Sequence, residues 1–329
     1  MRFLVSLSLA LSLACAALTP RVVKQFPVGT WLENLAIRPS GDILLTLISA
    51  PEIHSLSPVT GHSSLVGTAP GVQGIGGITQ LSSWGGEEVY AFGAGNVSLE
   101  TARPIPGTWS LFLLHLPSQK VEKVVDVPLA GMINGLAALP HGRSVLFADP
   151  ENGAIYIVDI HARTYGVWAD DDDLKMSDDV PFKLGVNGLR LSPDGRWVYF
   201  TNTARALLGR FPLPSYGVPK LDIVAAAADF DGLHLDDFAL REHHDGGIEA
   251  YITTNPFNTL VHVSTRGNVT DVAGGSGELT VAGCTAALFA RDGRTLYVVT
   301  NGGLEIPVNG TIVEGGKFVA FTVPKTDSE

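Results

Sequence analysis

The chain is short of the residues that staple, charge or anchor a fold. Its 329 residues include two cysteines, Cys15 and Cys284, and Cys15 falls in a predicted leader, so no internal disulfide is expected in the mature protein. Charged residues make up 17% and the net charge is −11, with no Lys/Arg cluster, which argues against nucleic acid or an anionic membrane as main partner. Beyond the N-terminus no apolar run approaches the ~20 residues of a spanning helix, so no stable membrane insertion is expected. Amphipathic helical stretches of useful length are also missing. What is present is a 45% apolar composition, enough for a full core. The expected partner is a small molecule, and the oligomeric state stays open.

The N-terminus reads Met1-Arg2, then apolar and small residues from Phe3 to Ala17, with Ala14-Cys15-Ala16 forming a small-x-small pattern. This predicts a signal peptide over residues 1–16, a single domain over 17–329, and a location outside the cell or in the secretory lumen. Asn96-Val97-Ser98, Asn268-Val269-Thr270 and Asn309-Gly310-Thr311 are glycan acceptor triplets consistent with that route.

One pattern recurs along the chain: a polar or small dyad, two apolar residues, a Gly-containing turn, then a β-rich run. Clear copies begin at Glu33-Asn34-Leu35-Ala36, Asn134-Gly135-Leu136-Ala137, Asn187-Gly188-Leu189-Arg190 and Thr285-Ala286-Ala287-Leu288. Weaker copies at Gly76-Gly77-Ile78-Thr79 and Asp237-Phe238-Ala239-Leu240 complete six units, spaced roughly 50 residues apart as in propellers. Asp-Gly and Ser-Gly turns between β-branched runs form hairpins. The predicted fold is therefore all-β, a six-bladed β-propeller with four-stranded blades. Residues Val22 to Phe26 are expected to pair with Lys317 to Val323, closing the sixth blade and removing a sheet edge.

Residues at the head of each copy converge on the propeller axis. Glu33, Asn134, Asn187 and Asp237 hold that place in four blades. Two carboxylates and two amide oxygens are hard ligands suited to calcium, magnesium, manganese or zinc, while the alternative is that these side chains only shape turns.

The motifs Trp31-Leu32-Glu33-Asn34-Leu35-Ala36, Val186-Asn187-Gly188-Leu189 with Ser192-Pro193-Asp194-Gly195, and Leu235-Asp236-Asp237-Phe238-Ala239 resemble those of the SMP-30/gluconolactonase-like propellers, and within them a secreted fungal branch. In lactonases of that family a glutamate, an asparagine and an aspartate bind a divalent metal, which the resemblance carries onto Glu33, Asn187 and Asp237. Asn134 resembles a substrate-contacting asparagine. Where the family has Asp-Gly-Met, this chain reads Asp-Asp-Phe-Ala.

The fungal branch also resembles proteins of tropolone-sesquiterpene pathways in which this fold catalyses an intermolecular hetero-Diels-Alder reaction. The resemblance thus implies a stereoselective cycloaddition of an o-quinone methide with an olefin such as humulene, needing no cofactor. Asn134, Asn187 and Asp237 would be catalytic, and Glu33, Asn34 and Thr285 would join them in binding substrate. A metal-dependent lactonase is the alternative, with Asp237 activating water, and a non-catalytic binding propeller is a further one. Asp170 to Asp173, His243-His244-Asp245 and Cys284 lack the spacing of a calcium loop, a zinc site or a nucleophile elbow, and read as structural.

Overall fold

Short apolar runs joined by glycine turns pair into antiparallel hairpins, and the computed structural model gathers them into six four-stranded sheets. It describes residues 17–324 except 82–83, 99, 102, 178–182 and 214–219. The predicted leader at 1–16 lies outside the described residues.

From the axis outward, blade one holds Leu32–Ile37, Ile43–Leu47, Glu52–Leu56 and Ser63–Thr68. Blade two holds Gly74–Leu81, Val89–Gly95, Ser110–His115 and Lys120–Asp126. Blade three runs Leu136–Ala138, Ser144–Asp149, Ala154–Asp159 and Thr164–Ala169, and blade four Val186–Leu191, Trp197–Asn202, Leu207–Pro212 and Asp222–Ala225. Blade five has Phe238–Glu242, Ile248–Thr254, Thr259–Val263 and Val269–Gly274. Blade six combines Cys284–Phe289, Thr295–Thr300 and Gly315–Thr322 with the N-terminal strand Pro20–Val28. That last pairing sets Val22 against Val319 and Gln25 against Lys317, the closure expected from sequence. In blade two a small hairpin, Val97–Ser98 with Arg103–Pro104, interrupts the path between its second and third strands.

The core is a ring of wedges between neighbouring blades. Phe92 and Phe112 of blade two meet Leu44 and Ile53 of blade one, and Phe200 of blade four meets Leu146 and Ile155 of blade three. Tyr297 and Phe318 of blade six likewise pack on Leu35 and Leu45 of blade one. Near the axis, threonine hydroxyls stitch one blade to the next: Thr46 donates to the Gly76 carbonyl at 2.7 Å, Thr201 to Asp236 at 2.6 Å and Thr285 to Leu32 at 2.7 Å. No helix among the described residues is long and apolar enough to cross a membrane.

On the flank of blade five, buried Glu249 accepts from His262 Nε2 at 2.9 Å and is paired with Arg241, whose Nη1 also reaches the Pro324 carbonyl at 3.0 Å. Burial works to raise this carboxyl, but the His262 hydrogen bond and the Arg241 charge outweigh it and bring it to about 2. A depressed carboxyl stabilises the fold above its unfolded value of 4.5 and loses that contribution as the pH falls through about 2. Glu249→Gln is therefore expected to cost about 2 kcal/mol at neutral pH. The cost should vanish near pH 2 in denaturant titrations run at both values; a pH-independent cost would show packing, not charge, at work.

Candidate functional site at the propeller axis

Residues at or just before the start of the inner strands face the axis, and a blade-two hairpin and loops between strands add to them. A pocket there encloses about 510 Å³ of empty space including its open mouth. Its walls are apolar, with Trp31 and Ile48 from blade one, Val97 and Pro104 from the blade-two hairpin, and Met132 and Leu184 leading into blades three and four. Its polar groups are Glu33, Asn134, Asn187, Asp236, Asn255 and Glu305.

These polar groups are tied to one another. Asn134 Nδ2 donates to Asn187 Oδ1 at 3.0 Å, and Asn187 Nδ2 donates to Thr203 Oγ1 at 2.9 Å and also bonds the Asp236 carboxyl. Thr203 Oγ1 donates in turn to the Leu235 carbonyl at 2.7 Å. Trp31 Nε1 donates to Glu33 Oε2 at 2.7 Å. Burial pushes Glu33 up to about 8, against the Trp31 hydrogen bond and with added repulsion from Glu305 and Asp237. Asp236 is raised well above the carboxylate range, by burial first and then by the Glu33, Asp237 and Glu305 charges. Burial raises Glu305 too, although Asn255 hydrogen-bonds it.

Of the residues predicted from sequence, the structure brings Glu33, Asn134 and Asn187 into the pocket. It leaves Asn34, Asp237 and Thr285 out, and each has a physical reason. Asp237 accepts from Asn34 Nδ2 at 2.7 Å and pairs with Arg190 Nη2 at 2.7 Å, while its Oδ1 takes the Phe238 N–H at 2.7 Å. Asn34, Asp237 and Arg190 come from blades one, five and four, so they cross the channel as a plug away from the pocket. Thr285 spends its hydroxyl on the blade junction. The pocket aspartate is Asp236, one residue earlier, because adjacent residues of an extended chain face opposite ways. The family pattern held that signal: in Asp-Gly-Met the aspartate comes first, and Asp237 stands where the glycine does. Glu305 and Asn255 lie on loops outside the repeated motif, which is why the repeat could not reveal them.

The remaining sequence candidates are accounted for locally. Cys284 is buried against Thr254 and Thr259, and burial pushes its thiol up to about 12, so it packs as a hydrophobe. Asp170 pairs with Lys175, Asp171 caps a short helical turn and Asp173 faces Arg205. Asn268 and Asn309 are exposed, whereas Asn96 is half-buried beside pocket-lining Val97.

Fold and site together define a six-bladed β-propeller with an axial pocket whose apolar walls are interspersed with amide and carboxyl groups. No family model matches the chain. It is similar to a Phoma sp. protein provisionally named a hetero-Diels-Alderase, with 24% identity over 315 residues covering 85% of this chain and 86% of that one. Among solved structures it is similar to regucalcin, a calcium-binding protein from Agrobacterium tumefaciens (TM-score 0.64, 15% identity, 94% of this chain and 97% of that one). It is likewise similar to a gluconolactonase from Xanthomonas campestris (TM-score 0.62, 12% identity, 95% of this chain and 93% of that one). At such identities the structural likenesses establish the propeller fold, and the fold alone does not fix the reaction.

Proposed function

We propose that this protein is a pathway enzyme of specialised metabolism that holds an o-quinone methide against a sesquiterpene olefin such as humulene and directs their hetero-Diels-Alder cycloaddition. The observation that carries this reading is the pocket's mixed lining: apolar walls from Trp31, Ile48, Met132 and Leu184 suit a hydrocarbon, and the linked Asn134 and Asn187 amides suit a single carbonyl oxygen. No lysine, arginine or histidine lines the pocket among the described residues, so no cationic side chain there is dedicated to gripping an anionic substrate. The similarity to the Phoma protein supports the same reading.

The reaction needs alignment more than acid–base work. Holding both partners in near-attack geometry replaces a bimolecular encounter with an internal step. Asn134 spends one N–H on Asn187, and its second N–H is available to the heterodiene oxygen, on which negative charge grows. Asn187 divides its N–H groups between Thr203 and Asp236, so its role is to position Asn134. Asn134→Leu should lower kcat about 100-fold, the scale of one lost oxyanion donor, and erode the stereochemical excess of the adduct. Chiral analysis of adduct from a quinone-methide precursor and humulene, with and without a chelator, tests this. Chelator-insensitive formation of one dominant stereoisomer is expected; a racemic adduct at the uncatalysed rate would overturn the reading.

A second reading rests on a separate observation, the meeting of two carboxyl groups with raised protonation ranges, Glu33 and Asp236, at the Asn187 amide. That donor set fits a hard divalent cation such as calcium, magnesium, manganese or zinc, with Asp236 in place of Asp237. No group of three or more His, Cys, Asp or Glu among the described residues is placed to hold a metal, so amide oxygens would complete the set. A cation there would polarise a lactone carbonyl, and chelator-sensitive opening of an aldonolactone would favour this lactonase. Pocket substitutions that change no turnover would leave a binding protein. In each case the proposed setting is the secretory lumen or the outside of the cell, after removal of residues 1–16, with glycans at exposed Asn268 and Asn309.

A further inference from the structure

Glu305 is the pocket carboxyl that neither repeat nor family pattern anticipates, and its surroundings are built to aim it. It sits on the blade-six loop between Thr300 and Gly315. A chain of hydrogen bonds leads to it: the Gly303 and Leu304 N–H groups fix Asn301 Oδ1 at 2.8 and 3.3 Å, and Asn301 Nδ2 donates to Asn255 Oδ1 at 3.2 Å. Asn255 Nδ2 then donates to Glu305 Oε2 at 2.7 Å. Holding a carboxyl group in an apolar-walled pocket on one such bond is costly, and the cation that reaches it electrostatically, Arg103, lies against Glu151 at 3.3 Å. Two loops from different blades are thus committed to presenting one carboxyl oxygen pair to the cavity.

Placement adds the second half. In a ring of six, blades three and six stand opposite one another. The amide donor Asn134 enters from blade three and Glu305 from the opposite blade six, while the pocket's other two carboxyl groups, Glu33 and Asp236, enter from blades one and five, Asp236 bonded to the Asn187 amide. We propose that Glu305 is a catalytic residue that stabilises positive charge building on the olefin, making the pocket a site for small apolar cations. This rests on the cycloaddition reading. In that reaction the olefin π pair forms a C–C bond to the methide carbon. Positive charge then gathers on the more substituted olefin carbon and negative charge on the carbonyl oxygen. The oxygen closes on that carbon to give the C–O bond. Two bonds form, the remaining π electrons shift within the ring, nothing leaves and no proton moves. Asn134 faces the negative end of this dipole and Glu305 the positive end, an arrangement worth more in a dry pocket than in water.

The test compares two probes of one shape, benzyltrimethylammonium and its neutral isostere neopentylbenzene, in binding titrations with the full chain. Wild type should bind the ammonium about tenfold more tightly, as expected of a partly desolvated cation site, and Glu305→Gln should erase that preference. The same variant should lower kcat for the adduct about tenfold with little change in KM, the pattern of an interaction made only in the transition state. Equal binding of the two probes by wild type, which needs no variant to fold, overturns the inference. So does a preference that survives in Glu305→Gln protein with an unchanged melting temperature. A preference erased by E305Q in a protein that forms no adduct upholds the cation site and overturns the reaction proposed for it.

Discussion

Glu33→Gln should make the protein more stable, and increasingly so as the pH rises. Glu33 is raised from 4.5 to about 8, chiefly by burial. A carboxyl raised on folding leaves stability intact below its unfolded value, and stability is lost as the pH rises from there through the folded value. Glutamine keeps the shape and can still accept from the Trp31 indole, but carries no charge to desolvate. The expected gain is close to zero near pH 4.5 and on the order of 3 kcal/mol by about pH 8. Guanidinium titrations of both proteins at the two pH values measure it directly. No gain at pH 8 would mean that Glu33 is already compensated in the purified protein, as a bound cation would do, and would move weight to the lactonase reading. A gain with reduced turnover would place Glu33 among residues kept for function at the expense of stability.

Gly188→Val is expected to be among the most damaging single changes in the chain. A Cβ at Gly188 would lie 2.6 Å from Asp237 Oδ1, 2.8 Å from Asp237 Cα and 2.9 Å from Thr201 Oγ1. Gly135, in the same place one blade earlier, would meet Leu189 N at 2.4 Å and Asn187 O at 2.6 Å. The glycine after each asparagine lets the next blade's backbone close in at the axis. Adding a branched side chain there forces the channel plug apart, with a cost of about 3 kcal/mol or more. Gly166→Ala is the control, since a Cβ there meets nothing within 4 Å. Thermal melts should show a large drop for the first and almost none for the second; equal melting temperatures would refute the close-approach reading of the Asn-Gly motif.

Those glycines explain why so much of the architecture could be read in advance. The pattern that counts blades is the pattern that lets them meet, so Asn134-Gly135 and Asn187-Gly188 marked both inner strands and two pocket amides. Ring closure was legible because a closed propeller removes its sheet edges by pairing a strand from one terminus with the blade built by the other, and Val22 to Phe26 and Lys317 to Val323 stood at those two ends. The finer site was not. Asp236 and Asp237 are neighbours of one chemical type, and a one-residue choice decides whether a carboxyl enters the pocket or the plug. Glu305 and Asn255 sit on loops whose geometry is set by hydrogen bonds among Asn301, Gly303 and Leu304, contacts with no periodic signature. Trp31 was visible as part of a motif, but its indole hydrogen bond to Glu33 was not.

The pairing of Pro20–Val28 with Gly315–Thr322 also has a consequence for how the protein is made. Pro20–Val28 precedes every other blade strand in the chain yet is the outermost strand of the last blade, so it waits, unpaired, until Gly315–Thr322 has been made. During that interval the nascent chain carries an open sheet edge, and the loop to be closed is among the longest the chain allows. Completion of the ring is thereby a check on synthesis: a product truncated before Gly315 lacks the partner of its own N-terminal strand and keeps that sheet edge open.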